Sequence, residues 1–303
     1  MSEPYVVLAG ATGNQGGRTA AALVESGAGV RALVRPGANA AGLQALGVDV
    51  VPVDMDDVTA LAAACKGATC VVSTLGGLRD VILERQSLLL DAAVAADVSR
   101  FISSDYSADY TKTQPGGNRN FDLRREFMGR ADRAQIATTS IFNGAFLDML
   151  GAEMPIIQPR IRRVLYWGDR YQPLDFTTRD DVAQYTARVA GDDSAPRILR
   201  IAGATVSASG IAATMSEVTA QSYQPLRAGG LRSLGVLIRA TQILAPQQAE
   251  VFPTWQGMQY MRDQFSGAAR LTPLDNDRYP GLEWTSLKTR LVQRYSTSPP
   301  TPA

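Results

Sequence analysis

Apolar residues recur with two different periods along the first half of this chain. Short runs rich in β-branched residues cover 5–9, 30–34, 48–53, 70–74, 100–103 and 138–142, and these predict six strands. Between them, apolar positions at helical spacing predict helices over 18–26, 59–64, 83–96 and 121–134. Strands that alternate with helices imply right-handed βαβ units, hence a parallel sheet covered on both faces. The predicted fold class is therefore α/β, a doubly wound Rossmann-type sheet of strand order 3-2-1-4-5-6.

The pattern loosens after the sixth strand, where Pro155, Pro159 and Pro173 interrupt it. Helices are expected over 178–190, 207–220, 230–244, 255–265 and 283–295, with a strand at 198–201. Thr178 is placed to cap the first of these, with Asp180 and Asp181 in its first turn.

Composition narrows the chemistry. The 303 residues are 45% hydrophobic and 19% charged, ordinary for a globular chain with a sizeable core. Thirty basic residues against twenty-nine acidic ones leave a net charge of +1, without the electrostatic footprint of a nucleic-acid binder. There is no histidine, which removes Ser-His-Asp and Cys-His nucleophile systems and every His-ligated metal site. Cys65 and Cys70 are too few for a disulfide framework or a four-cysteine zinc site, and read as small buried thiols. No metal is expected. No signal peptide pattern and no run of eighteen apolar residues occurs, so a cytoplasmic protein without membrane association is expected.

The strongest motif is Gly10-Ala-Thr12-Gly13-Asn14-Gln15-Gly16-Gly17, directly after the first strand and before the first helix. Gly10 permits the tight turn, Gly13 lets the backbone approach a pyrophosphate, and Gly16 lets the helix pack on the sheet. The helix N-terminus then offers free N–H groups to phosphate. Its spacing is G-x-x-G-x-x-G, without the Gly-Lys-Ser/Thr of a triphosphate loop, so an ATPase or kinase is excluded.

The end of the second strand selects the dinucleotide. An acid there favours NAD, and a basic residue pairs with the 2′-phosphate of NADP. The segment 30–36 carries no acid, and Arg35 ends the strand, so Arg35 is assigned to the 2′-phosphate and the cofactor to NADP(H). Asp54 and Met55, after the third strand, border the adenine. Ser73, Thr74, Leu75 and Gly76, after the fourth, lie at the carboxyl edge that the cofactor crosses. The expected organisation is an NADP-binding domain at 1–150, a smaller mixed α/β substrate region at 151–295, and a disordered tail at 296–303.

The fifth strand runs into Ser103-Ser104-Asp105-Tyr106 and the sixth into Phe142-Asn143-Gly144-Ala-Phe146, both facing the same crevice. Between them, Arg124 shares a helical face with Phe121, Phe127 and Met128. A cation on an apolar face is either functional or paired with a buried carboxylate such as Asp105. Asp105 and Tyr106 are the candidate proton donors, with a salt-bridge or wall role as the plain alternative. Trp167, Tyr171 and Phe176 are candidates for the substrate side, or for core.

At these residues the sequence resembles the NmrA-like and isoflavone-reductase-like branch of atypical short-chain dehydrogenases. The resemblance rests on the glycine loop, the Leu-Val-Arg after strand two, Arg-Phe-Ile-Ser-Ser-Asp-Tyr at strand five, Phe-Asn-Gly at strand six, and the segments from Asp175 and Asp277. It implies an NADPH-dependent reductase whose helix after strand five carries a lysine, spaced Phe-x-x-Lys, that touches the nicotinamide ribose and supports proton transfer. Here that position is Arg124, which does not deprotonate in proteins. The Tyr-x-x-x-Lys of ordinary short-chain dehydrogenases is also absent, which disfavours a sugar-nucleotide epimerase.

Two functions are expected from this. The first is reduction of a small conjugated or aromatic carbonyl-type compound, namely a quinone, enone, ketone or imine, by a monomer or homodimer. The alternative is a non-catalytic NADP(H) sensor acting through a protein partner, which the resemblance also implies.

Overall fold

The computed structural model describes residues 5–295, so the tail expected at 296–303 lies outside the described residues. In the first half, β1 (Tyr5–Ala9), α1 (Asn14–Glu25), β2 (Gly29–Val34), α2 (Ala41–Ala45), β3 (Asp49–Pro52), α3 (Val58–Cys65) and β4 (Ala68–Ser73) follow one another. A π-helical stretch, Asp80–Arg85, then leads into α4 (Gln86–Ala95), β5 (Arg100–Ile102), α5 (Arg119–Ala131), β6 (Ala137–Phe142) and β7 (Ala145–Phe146). The second half contains β8 (Ile157–Gln158), β9 (Arg163–Trp167), β10 (Leu174–Thr177), α6 (Arg179–Ala190), β11 (Ile198–Arg200), β12 (Ala204–Val206), α7 (Ala208–Thr219), β13 (Gln224–Gly229), α8 (Leu231–Leu244), α9 (Thr254–Ser266) and α10 (Leu287–Tyr295).

The main sheet is parallel, with order β11-β6-β5-β4-β1-β2-β3, so the expected order is present with β11 added beside β6. Its central strands are apolar on both faces because both faces are covered. Val6, Leu8, Cys70 and Val72 pack under α1 and α6, while Val7, Val71 and Phe101 pack under α3, α4 and α5. Burial pushes the Cys65 thiol up to about 11 and the Cys70 thiol up to about 12, so both stay protonated packing groups.

Part of the chain beyond residue 150 returns to the main sheet. β11 pairs with β6 in the main sheet, and α6 packs along α1. Polar contacts fix this arrangement. Gln15 donates to the Arg179 carbonyl at 3.2 Å, Arg18 pairs with Asp180, and buried Arg100 donates to the Ala195 and Asp193 carbonyls at 3.0 and 2.8 Å. Residues 179–200 are thus built into the first unit, and the chain returns to it after a first excursion.

The rest forms a smaller mixed region. Two three-stranded sheets, β12-β10-β7 and β13-β9-β8, share a core with α7, α9 and α10 that includes Phe176, Ile211, Met215, Phe265 and Leu291. Among the described residues no helix is long and apolar enough to cross a membrane.

Candidate functional site

The glycine loop turns sharply where β1 ends. Gly10 has φ +83°, a left-handed value that glycine adopts without strain, and Gly13 N–H closes the turn onto the Gly10 carbonyl at 3.0 Å. A Cβ on Gly16 would lie 2.1 Å from the Gly10 oxygen, so only glycine lets the first turn of α1 sit on the loop. Thr74 closes the other side, its Oγ1 donating to the Ala9 carbonyl at 2.8 Å. α1 starts at Asn14 with Gly13 as an N-cap that has no side-chain hydrogen bond. Thr12, Gly13 and Asn14 are exposed, so the helix N-terminus opens to solvent as an uncapped anion site.

At the end of β2, two arginines separate into two roles. Arg31 is occupied, donating to Asp49 at 2.7 Å, to the Tyr5 hydroxyl at 2.8 Å and to the Ala64 carbonyl at 3.1 Å. Arg35 is exposed, and no side-chain partner holds it among the described residues. Asp54 is exposed with one oxygen accepting from Asp56 N–H, and Met55 packs beside it against the α3 side of the core.

The carboxyl ends of β4 and β5 are tied by a residue the sequence reading missed. Gln86 is 1% exposed, and its Oε1 accepts both Ser73 Oγ at 2.6 Å and Ser104 N–H at 3.1 Å. Its amide donates to the Ile82 carbonyl at 3.2 Å. Ser104 Oγ donates to the Leu75 carbonyl, so the two loops form one rim that leaves Gly76 exposed. Ser73 therefore acts as a strut of this rim rather than facing the crevice. Gln86 carries the same signal as Arg124, a lone polar residue on an apolar helical face, four after Ile82 and three before Leu89.

The three candidates for proton chemistry are placed differently. Asp105 is fully buried and accepts from Ser140 Oγ at 2.6 Å, and Ser140 accepts from Arg197 at 2.7 Å. Burial raises the Asp105 carboxyl above the usual range, while the Ser140 bond and the charges of Arg124 and Arg197 oppose that rise. Tyr106 turns away from the crevice. Its hydroxyl meets Thr186 Oγ1 at 3.5 Å, and its ring joins the core under α1 and α6, where burial raises its pKa.

Arg124 is half-buried and makes no ion pair among the described residues. Nε donates to the Ser104 carbonyl at 3.2 Å and Nη1 to the Asn120 carbonyl at 3.3 Å. The expected alternative, a salt bridge to Asp105, is not formed. Carbonyls fix the guanidinium and leave its charge unneutralised at the crevice.

Around it, Ser103 Oγ, one Asp105 oxygen and both polar atoms of the Asn143 amide are buried without a protein partner. Asn143 and Gly144 N–H groups are held by the Ser107 carbonyl at 2.9 and 3.1 Å. Phe142 packs edge-on against Tyr110 at 5.0 Å, and Phe146 lies under the Arg179 guanidinium at 4.7 Å. Of the aromatic residues expected on the substrate side, Phe176 is core on β10. Trp167 packs on Phe265 at 5.7 Å, and Tyr171 is exposed beneath Arg170.

A cleft of about 660 Å³ opens between α5, the loop after β4, and the α8–α9 hairpin, with Leu78, Leu123, Pro246 and Trp255 as apolar walls. Arg119 holds the hairpin in place, donating to the Gln248, Glu250 and Val251 carbonyls at 3.2, 2.9 and 2.9 Å and stacking on Trp255 at 4.6 Å. Asn118 and Asn120 add bonds to Asp263 and to the Val251 carbonyl. The C-terminal helices are thus fastened to the first turn of α5, one turn before Arg124.

Known proteins share this fold. The chain is 28% identical over 211 residues to pinoresinol reductase 2 of Arabidopsis thaliana, a match covering 64% of this chain and 66% of that protein, just under two thirds of its length. Its fold superposes on the leucoanthocyanidin reductase–NADPH complex from Vitis vinifera with a TM-score of 0.79 at 17% identity, covering 97% of this chain and 100% of the other. It superposes on AtPrR2 with NADP+ and (+)-pinoresinol with a TM-score of 0.77 at 20% identity, covering 96% and 99%. The NmrA-like family model matches residues 2–227, and the chain belongs to that family.

Proposed function

We propose that this protein binds NADPH along the carboxyl edge of its main sheet and reduces a small aromatic or conjugated carbonyl-type compound. The observation that carries the reading is Arg35, exposed and without a partner at the end of β2, in line with the uncapped N-terminus of α1. The donor set fits the cofactor. Loop N–H groups of Asn14 and Gln15 face a pyrophosphate, and Arg35 faces a 2′-phosphate. Asp54 and Met55 flank an adenine, and the orphaned amide of Asn143 suits the polar edge of a nicotinamide. The likeness to pinoresinol and leucoanthocyanidin reductases supports the reductase assignment and an aromatic substrate.

Bound NADPH supplies a hydride to the electrophilic carbon. The chain's own part is to hold and polarise. Arg124, fixed by two carbonyls, places a permanent positive charge where a carbonyl oxygen gains negative charge. The cleft beside α5, lined by Leu123 and Trp255 together with Arg79, Asp122 and Glu126, is the seat assigned to the substrate. The sensor reading draws on Arg124 standing where reductases carry lysine, and on Tyr106 being turned into the core. Following NADPH absorbance with a panel of quinones, enones, aryl ketones and imines separates the two. Turnover supports the reductase, and tight binding without turnover on any acceptor supports the sensor.

A further inference from the structure

Helix α8 turns one side to the protein and the other to solvent, and both sides are apolar. Leu234 and Ile238, four residues apart, are 1% and 3% exposed against the body. On the far side Val236, Ile243 and Leu244 are 68%, 79% and 84% exposed, with Leu237 also exposed beside them. Helical spacing lines these four up with Ala240 along the outer face. A surface helix ordinarily turns polar residues outward. A contiguous exposed apolar stripe marks a surface that another body covers.

The charge around the stripe has one sign. From 218 to 249 the chain has no Asp or Glu, and its charged residues are Arg227, Arg232 and Arg239, all exposed. Arg232 and Arg239, seven residues apart, run along one flank of the stripe. The strand that pairs with β13 comes from a second stretch without acids, 154–168, whose charged residues are Arg160, Arg162 and Arg163. None of these arginines forms an ion pair among the described residues. Acids on the neighbouring elements are occupied. Asp263 of α9 is bonded by Asn118, Glu217 pairs with Lys288, and across the cleft Asp122 and Glu126 pair with Arg125 and Arg79.

These features select the occupant. A second copy of the chain would lay the same arginines against themselves and bring no carboxylate to answer them, because a two-fold contact offers each face only itself. A bilayer with acidic headgroups supplies both complements at once, apolar depth for the stripe and negative charge for its flank.

We propose that α8 seats this protein on an anionic lipid surface, lying in the headgroup plane with Val236, Ile243 and Leu244 dipped into the acyl boundary. Docking of this kind needs no spanning helix, and the expectation of no membrane association rested on span and leader patterns alone. Gln242, on the inner side of α8, and Pro246 line the cleft assigned to the substrate, so the docked face and that cleft belong to one hairpin.

Flotation of the full chain with vesicles tests the proposal, comparing an equimolar mixture of phosphatidylcholine and phosphatidylglycerol with phosphatidylcholine alone. Binding is expected to the mixed vesicles and is expected to weaken as salt rises. Arg232→Gln with Arg239→Gln is expected to lower that affinity about thirtyfold, the effect of two basic side chains at an acidic surface. Ile243→Ser with Leu244→Ser is expected to lower it by at least about tenfold, through lost apolar burial. A thermal melt of each variant is expected to match the wild type, because all four side chains already face solvent.

No binding to the mixed vesicles, or equal binding to both kinds, overturns the proposal. So does a concentration-dependent dimer in vesicle-free buffer that Ile243→Ser with Leu244→Ser abolishes, since that result assigns the stripe to a second copy.

Discussion

Replacing Gly16 with alanine tests the phosphate loop at its tightest point. The added Cβ would lie 2.1 Å from the Gly10 oxygen and 2.7 Å from both the Gly10 carbonyl carbon and Thr74 Oγ1. Ordinary contact begins near 3.4 Å, so the loop and the helix must separate by about 1.3 Å. Neither partner is a flexible side-chain end. Gly10 is backbone in a closed turn, and Thr74 is bonded to Ala9.

Overpacking of this kind costs roughly 1–3 kcal/mol of stability. The displaced N–H groups are those proposed to face the pyrophosphate, so NADPH affinity should fall at least tenfold, about 1.4 kcal/mol. Gly17→Ala is the matched control. Its Cβ would meet nothing closer than the Ala11 oxygen at 3.6 Å, and alanine gains about 0.8–1 kcal/mol over glycine inside a helix. NADPH titration by fluorescence, with a thermal melt on each variant, reads both effects. Gly16→Ala binding within twofold of wild type, or Gly17→Ala losing as much as Gly16→Ala, would refute the reasoning.

Other consequences can be checked in the same preparations. Arg35→Glu removes a charge-assisted contact worth about 1.5–3 kcal/mol and should weaken NADPH binding by roughly a hundredfold, with NADH affinity changed little, as calorimetry would show. Gln86→Leu leaves Ser73 Oγ and Ser104 N–H buried without an acceptor, and each such group costs about 1–3 kcal/mol, so Tm should drop by several degrees. Asp105→Asn tests the buried carboxyl. Because its folded pKa is raised, the wild type loses stability as pH climbs from the ordinary carboxylate value of about 4 through the folded value. The Tm advantage of Asp105→Asn should therefore be absent at the acid end and grow with rising pH, and a constant difference across that range would contradict it.

Much of the first unit was legible because period and position agreed. All six expected strands form, and Thr178 caps α6 as its sequence suggests, accepting from Asp181 N–H at 3.1 Å. The start of α1 was placed four residues late, because Asn14-Gln-Gly-Gly offers no apolar residue to mark a turn that the loop itself begins. Strands β7, β8, β9, β10, β12 and β13 went unread. They are two to six residues long, prolines flank or enter β8, β10 and β13, and their pairing comes from tertiary contact rather than local pattern.

Tyr106 packs toward Thr186 for a local reason. The whole segment 103–106 was expected to face the crevice, but the strand stops at Ile102, and Asp105 N–H bends back to the Ser103 carbonyl at 2.8 Å. From that bend onward, the parity of the strand no longer tells which way a side chain points. Arg119 was invisible for another reason, since its role exists only once the α8–α9 hairpin is fastened against α5.

The measurement that bears most directly on the account is NADPH consumption by the purified protein with quinone, enone, aryl-ketone and imine acceptors, run beside NADH and beside Arg35→Glu. The expected result is oxidation of NADPH with at least one of these acceptors, little use of NADH, and loss of turnover at low NADPH in Arg35→Glu. Firm NADPH binding without turnover on any of them, or equal use of NADH, would contradict it.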